Sequence, residues 1–469
     1  MNSPATLPTL LNHLEAAKRQ FDSGAQAPTA KLLSTLAHRR FRDAQSLIRF
    51  HESLLFFRAY PANEQIRSLA VALLAEFHQR IASLSRAQAD LEPFEEPDVS
   101  GISGTSFSAI FTYDIARWLA HQHPTRVAID WDSTDPTLLG PLLRRLHPFF
   151  AEDLLVEANI PYMDWFRAAK KGRGPDLQWL ISRIQEFPMT PEERAELYAG
   201  AKIAIRWTLG HGPMTRSNIH LPGVRKFFYH DGPLLKRAQV SIAAELESPK
   251  LAIRKLNRAS GEQFLDLARE TSAMRYRELH GFTYGDPSQV IHAELGRGVE
   301  VFVAGVPVEH RLPLRTYHSG MYFKNGIPIG YIECLTLFDR MEVGFNLYYT
   351  FREGETAWLY GRLLHLFRQL VGVNYFAVDP YQIGLHNQEA IDSGAFWFYR
   401  KLGFRPTDPN VAKLLASEEK KLRADPNYRT RPSTLRRLAA GWMIYETAGA
   451  KPGKYDDFEV RHLAMRRSL

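Results

Sequence analysis

The stretch MEVGFNLYYTFREGETAWLYGRLLHLFRQLVGVNYFAVDP, residues 341–380, decides the fold. Its first eleven residues alternate, so Val343, Phe345, Leu347, Tyr349 and Phe351 share one face with the two-residue period of a strand. Residues 355–371 read as a helix and 374–380 as a second strand. A strand, a crossover helix and a strand predict a right-handed parallel βαβ step. In such a step ligands bind beyond the carboxyl ends of the strands. The turn FREGETA, 351–357, stands at that end and opens the helix, where unsatisfied backbone N–H groups suit a phosphate. Arg352 adds a charge-assisted donor. Taken alone, the same turn also serves as a plain strand–helix connection with Gly354 for tightness.

Working outward, the next element downstream is GAFWFYRKLGFRP, 394–406. It reads as a short helix with Ser393 as N-cap, Gly403 at the left-handed stop, and Pro406 preventing resumption. Phe396, Tyr399 and Gly403 fall on one face, which by itself describes a capped core helix. Upstream, a strand is expected over 250–256 and a helix over 260–279. That helix opens with Ser260 as N-cap and turns Phe264, Leu265, Leu267 and Ala268 inward. Residues 298–306 read as another strand, and Asn325-Gly326 between apolar runs marks a hairpin. AGWMIYE, 440–446, makes a last strand.

The order of these elements over residues 249–446, with Tyr399-x-Lys-x-Gly-Phe404 closing the aromatic helix, resembles the GNAT superfamily of N-acyltransferases. The resemblance implies that the two parallel strands splay apart to admit the pantetheine arm of an acyl-CoA, acetyl-CoA among them, as co-substrate. It implies that the pyrophosphate rests on the turn opening the next helix, where the family has Arg/Gln-x-x-Gly-x-Gly/Ala. Here the turn is Arg352-Glu-Gly354-Glu355-Thr356-Ala357. Its first and last positions match, Glu355 stands where the middle glycine is expected, and Gly354 is displaced by one. Glu353 and Glu355 would repel a pyrophosphate unless their side chains turn outward to solvent.

The resemblance also implies the site residues. Tyr349, Arg352, Gly354, Thr356, Ala357 and Asn387 would bind the cofactor, Asn387 at a longer spacing from Tyr399 than the family shows. A backbone N–H near Tyr348 to Thr350 would polarise the thioester carbonyl. Tyr399 would protonate the departing thiolate, and Glu333 or Glu342 would take the proton of the attacking amine. Each of these side chains also has an ordinary structural reading: aromatic packing for Tyr399, and the solvent face of a strand for the two glutamates. Cys334 has no His or Asp arrangement around it and reads as a small buried hydrophobe.

Residues 1–90 read as helices: LLNHLEAAKRQF, then 30–60, then 64–84, with Tyr60 to Asn63 breaking the last two apart. Residues 88–108 are acidic, then Gly/Ser-rich, and read as a linker or surface loop. A helix follows, then a short strand RVAIDWD at 126–132, then more helices to about residue 210. Gly101-Ile-Ser-Gly104-Thr-Ser lacks the Lys of a phosphate loop and reads as a turn. Asp130, Asp132 and Asp135 read as caps rather than metal ligands. His211, His220 and His230 lack the helical spacing of a metal site.

The chain of 469 residues has 45% hydrophobic and 23% charged residues, an ordinary globular composition. No run has the length of a membrane span and no signal peptide is evident, which with a single cysteine sets a cytoplasmic expectation. The net charge of +8 is dispersed, densest from Lys420 to Arg467, and fits a solvated basic surface or an acidic partner such as RNA.

The expectation is therefore an α+β protein: a largely helical N-terminal region (1–90 and 91–248), a GNAT-like mixed β-sheet flanked by helices (249–446), and a basic tail (447–469). The leading activity is acyl transfer from acyl-CoA to an amine on a small molecule or protein, without a metal. One alternative is transfer of an aminoacyl or long acyl group from tRNA or a carrier protein. The other is a non-enzymatic interaction module that keeps the fold.

Overall fold

A computed structural model describes residues 5–146 and 160–458. The protein is α+β, and its contacts divide it into two compact units. The first comprises residues 1–220 with 263–283, and the second 221–262 with 284–469. Among the described residues no helix is long and apolar enough to cross a membrane.

The first unit opens with helices Leu7–Ala17, Ser23–Ala37, Ala44–Ala59, Glu64–Ala75 and Phe77–Arg86. The side chains of Thr6, Asp22, Asp43 and Asn63 cap the first four in succession, each accepting from an amide of the opening turn. The single helix expected over 30–60 is thus two, because Asp43 starts a new one after the break at 38–43. Strands β1 (Ser106–Ile110), β2 (Val127–Ile129) and β3 (Ala204–Thr208) form a small antiparallel sheet in the order β1-β3-β2. Strand β1 lies at the end of the stretch read as a linker, and β3 in the stretch read as helical. Each is five residues long, and β1 finds its partner about a hundred positions later, Phe107 opposite Trp207. So short a segment shows too few periods to be read locally. Gly101 and Gly104 turn with φ of +96° and +88°. Asp135 caps the next short helix, as expected, while Asp130 is buried and accepts from Ser108, Ser133 and Arg206.

The second unit holds a nine-stranded sheet in the order β11-β12-β10-β9-β8-β7-β6-β5-β4. Strands β4 (Ile253–Lys255), β5 (Val290–Gly296), β6 (Val299–Ala304), β7 (Thr316–Lys324), β8 (Ile327–Leu337) and β9 (Arg340–Leu347) are antiparallel neighbours. Strand β10 (Tyr375–Val378) lies parallel to β9, as the βαβ reading requires, after the crossover helix Thr356–Val371. Strands β11 (Arg405–Pro406) and β12 (Met443–Glu446) complete the edge. Asn325 and Gly326 form the two-residue hairpin between β7 and β8 with φ of +49° and +79°.

Three local expectations change. The alternation 341–351 stops as a strand at Leu347, and Tyr349–Phe351 form a 3-10 turn. The helix of 258–273 is capped by Asn257, whose Oδ1 accepts from the Ser260 N–H at 2.8 Å, rather than by Ser260. The aromatic helix Ala395–Lys401 starts after Gly394 in a left-handed conformation, and Ser393 ends the helix before it. Its stop is as read: Gly403 has φ +101°, the Phe404 N–H donates to Tyr399 O, and the Gly403 N–H to Arg400 O, the paired bonds of a Schellman motif.

The second unit begins at Leu221 rather than near 249, because the intervening segment is bound to the sheet. The Leu221 N–H donates to Gly326 O at 2.8 Å, and the Asn325 side chain bonds both backbone groups of Phe228. The start of the tail also belongs to this unit: the Thr447 N–H donates to Asn374 O, and Tyr455 packs edge-on against Tyr375 at 4.7 Å. Residues 459–469 of the expected basic tail lie outside the described residues.

Candidate functional site

Strand β10 pairs with β9 at only three positions, Tyr375 with Arg340, Phe376 with Met341 and Ala377 with Glu342. Strand β9 runs on to Leu347, paired with β8 throughout. Beyond Glu342 strand β9 has no partner on this side, because β10 ends at Val378, and a cleft of 1160 Å³ opens along β9 from Glu342 to Asn346, facing Asp379 to Gln382. Glu342, Gly344 and Asn346 line it, whereas Phe345 turns to the opposite face and packs on Tyr360 of the crossover helix at 5.1 Å. A Cβ at Gly344 would stand 2.8 Å from Gln382 Nε2, so a side chain here would displace the Gln382 amide from this wall.

Both candidate bases, Glu333 and Glu342, line this cleft, and they differ in their partners. Glu342 is clamped between two guanidinium groups, Arg340 Nη1 and Arg315 Nη1, each at 2.8 Å. Arg340 is buried and sandwiched between the rings of Trp442 and Phe458 at 4.8 and 5.1 Å. Glu333 accepts from the hydroxyl of Tyr317, a neutral donor. Tyr317 and Arg315, two cleft residues that sequence reasoning missed, lie where β7 begins. Their only sequence signal is their spacing of two, which puts them on one face of β7.

The other expected site residues fall elsewhere. Tyr399 does not line the cleft; its ring packs against Tyr360, Phe398 and Phe404 at 5.3 to 5.6 Å, and burial pushes its phenol up, so it keeps its proton. Asn387 caps the helix Gln388–Asp392 by accepting from the Ala390 N–H. Tyr349 is exposed with Arg352 over its ring, and Arg352 pairs with Glu389. Tyr348 cannot offer its amide to an oxyanion, because that N–H donates to Ile329 O at 3.0 Å. By the alternation of a ladder, the amides of Phe345 and Leu347 point to the side β10 has left.

The turn before the crossover helix departs from expectation at Glu355. Its side chain turns inward, 3% exposed, rather than outward to solvent. It takes a two-pronged bond from Arg297, at 2.8 and 2.6 Å, and accepts from the Leu235 N–H at 3.0 Å. Its charge is thereby neutralised within the protein. Glu353 is exposed, Gly354 N–H donates to Phe351 O, and Thr356 Oγ1 to Arg352 O. Ala357 is buried. The amides of Thr356 and Ala357 stand in the first helical turn, which has no intrahelical acceptor for them. Lys324, bonded to Arg297 O at 2.5 Å, is held down to about 7 chiefly by burial. Cys334 is fully buried, and burial, with Glu333 next to it, pushes its thiol up.

The first unit holds a second polar cluster. His51 Nε2 lies 2.8 Å from Ser217 Oγ, and its Nδ1 3.0 Å from Glu52, the spacing of a hydroxyl–imidazole–carboxylate relay. Yet His51 and Ser217 expose no surface, Ser217 Oγ is engaged by the Ser103 N–H, and Glu52 is paired with the buried Arg216 at 2.6 Å. Arg58 donates to Ser217 O at 2.8 Å. This is a clasp that fixes residues 215–218 to the helices. No group of three or more His, Cys, Asp or Glu among the described residues is placed to hold a metal.

No family model, curated protein or solved structure matches the chain.

Proposed function

We propose that the second unit is an N-acyltransferase that passes an acyl group from acyl-CoA to an amine by direct attack. The observation that supports it is the end of β10 after three residues paired with β9, which leaves one side of β9 without a strand partner beside a cleft that Glu333 lines. In this reading the amine lone pair forms the new C–N bond at the thioester carbonyl, Glu333 takes the proton of the amine, and the C–S bond breaks. The amides of Phe345 and Leu347 stabilise the charge that develops on the carbonyl oxygen. The departing thiolate takes its proton from water, because Tyr399, the acid the resemblance implies, does not line the cleft. Phosphates would lie at the turn 352–357, where the first-turn amides of the crossover helix stand and Arg297 already cancels Glu355.

A tRNA donor is less favoured, since the cleft carries Glu333, Glu342, Asp379, Asp408, Asp456 and Asp457 against one arginine. An interaction module is favoured by one observation, the burial of Glu355 at the head of the phosphate turn. Titration of the whole chain with acetyl-CoA in a calorimeter separates the two. Saturable binding by wild type is expected. Binding by Glu355→Gly alone, or by neither protein, would overturn the acyl-CoA reading.

A further inference from the structure

Among the residues lining the cleft, Arg315 is the only lysine or arginine. One nitrogen, Nη1, is bonded to Glu342 Oε2, and among the described residues no other partner is present for its remaining N–H groups. Its orientation is fixed in series: Trp442 and Phe458 hold Arg340, Arg340 holds Glu342, and Glu342 holds Arg315. The side chain of Arg315 is 28% exposed, while that of Arg340 is 3% exposed. A guanidinium positioned by a buried partner, with its open edge at a cavity, presents a planar fork that matches a carboxylate. Two residues along the same face of β7, Tyr317 bonds Glu333. Glu333 stands opposite Ser319, four positions along β7 from Arg315 and so about 13 Å up the sheet, a span that the two side chains close with one extended basic amino acid between them.

The charges of the wall restrict what that molecule is. A simple anion would meet Arg315 but also six carboxylates. An amine without a carboxylate would leave the open edge of Arg315 unanswered. We propose that the acceptor is a free basic amino acid, its carboxylate bound by Arg315 and an amine facing Glu333. This names the acceptor class for the acyl transfer proposed above and rests on that reading, but its test does not require an acyl donor.

The test is calorimetric titration of the full chain with L-lysine, L-lysinamide and cadaverine, without acyl-CoA. Lysine binding is expected, with affinity lost by at least about tenfold for lysinamide, for cadaverine, and for lysine on Arg315→Gln. Arg315→Lys, which keeps the charge but not the fork, is expected to fall between. Cadaverine or lysinamide binding as tightly as lysine, undiminished binding by Arg315→Gln, or no lysine binding would each overturn the proposal. The three ligands on wild-type protein decide the point even if the variants misfold. Carboxylate-dependent lysine binding by a protein that ignores acetyl-CoA would sink the acyl-donor reading alone. The reverse result would sink the acceptor class alone.

Discussion

In the first unit, His51, Glu52, Arg216 and Ser217 hold one another at 2.6 to 3.0 Å, with His51 and Ser217 wholly shut off from water. In the second, Arg315, Tyr317, Glu333 and Glu342 make pairs of the same chemical kinds along the wall of an open cleft. Both sets combine a carboxylate, a guanidinium and a hydroxyl. What separates them is access: the first set is shut off from any ligand, whereas the second borders 1160 Å³ of open space. The lesson extends within the second unit. Glu342 and Glu355 are held by arginines, whereas Glu333 accepts from a phenol on the cleft wall.

The largest effect should come from breaking the closed set. Glu52→Gln takes the opposite charge away from the buried Arg216, at a cost of about 3–5 kcal/mol, read by urea denaturation. A loss under 1 kcal/mol would mean the clasp is not what secures that unit. In the open set the effect moves from stability to rate. Glu333→Gln should lower acyl transfer by roughly a hundredfold or more while the melting temperature stays near wild type. Equal activity would remove Glu333 from the reading.

Glu342→Gln sharpens the contrast between the two cleft carboxylates. It frees two arginines, one of them buried, and should cost about 2–3 kcal/mol in denaturation. A variant as stable as wild type would show that the arginine clamp carries no structural weight.

Protonation offers a milder way to divide the regions. Burial lowers the imidazole of His51, and that of His230 to about 2, so both are neutral in the folded protein. The unfolded chain takes up protons at these residues below about pH 6.5, so the stability they contribute is present above that value and lost as pH falls. Lys324, held to about 7, acts higher on the scale: between about 7 and 10.5 only the unfolded chain binds its proton, so stability rises with pH across that window. Melting temperatures from pH 5 to 9 should therefore climb, and His51→Gln should flatten the acidic limb. A slope unchanged by that substitution would contradict the assignment to His51.

The smallest effect is expected at Tyr399→Phe, which keeps the ring packing and removes a hydroxyl that lies off the cleft wall. Activity should change less than about threefold, against the 10² to 10⁴ typical of a lost acid–base group. A hundredfold loss would restore the proton-donor role to Tyr399.

The sequence by itself determined the elements that have local grammar. The strand–helix–strand order of 341–380, the Asn325-Gly326 hairpin, the Gly403 stop and the inward row of Phe264, Leu265, Leu267 and Ala268 all follow from periodicity and backbone preference. The candidacy of Glu333 and Glu342 was also legible, because both fall on central strands. Caps were less so: Asn257 and Gly394 took positions read for Ser260 and Ser393, since several neighbouring residues can end or begin a helix with similar energy.

Only the tertiary structure decided which carboxylates are paired with arginines. Glu355 is neutralised by Arg297, 58 positions earlier, and Glu342 by Arg315 and Arg340 from β7 and β9. The pairing of β1 with β3 and the attachment of 221–235 to the second unit are likewise set by long-range partners. An ion pair or a short strand is stable only where the whole chain brings its two halves together and excludes water. That information resides in the packing and in no single stretch of residues.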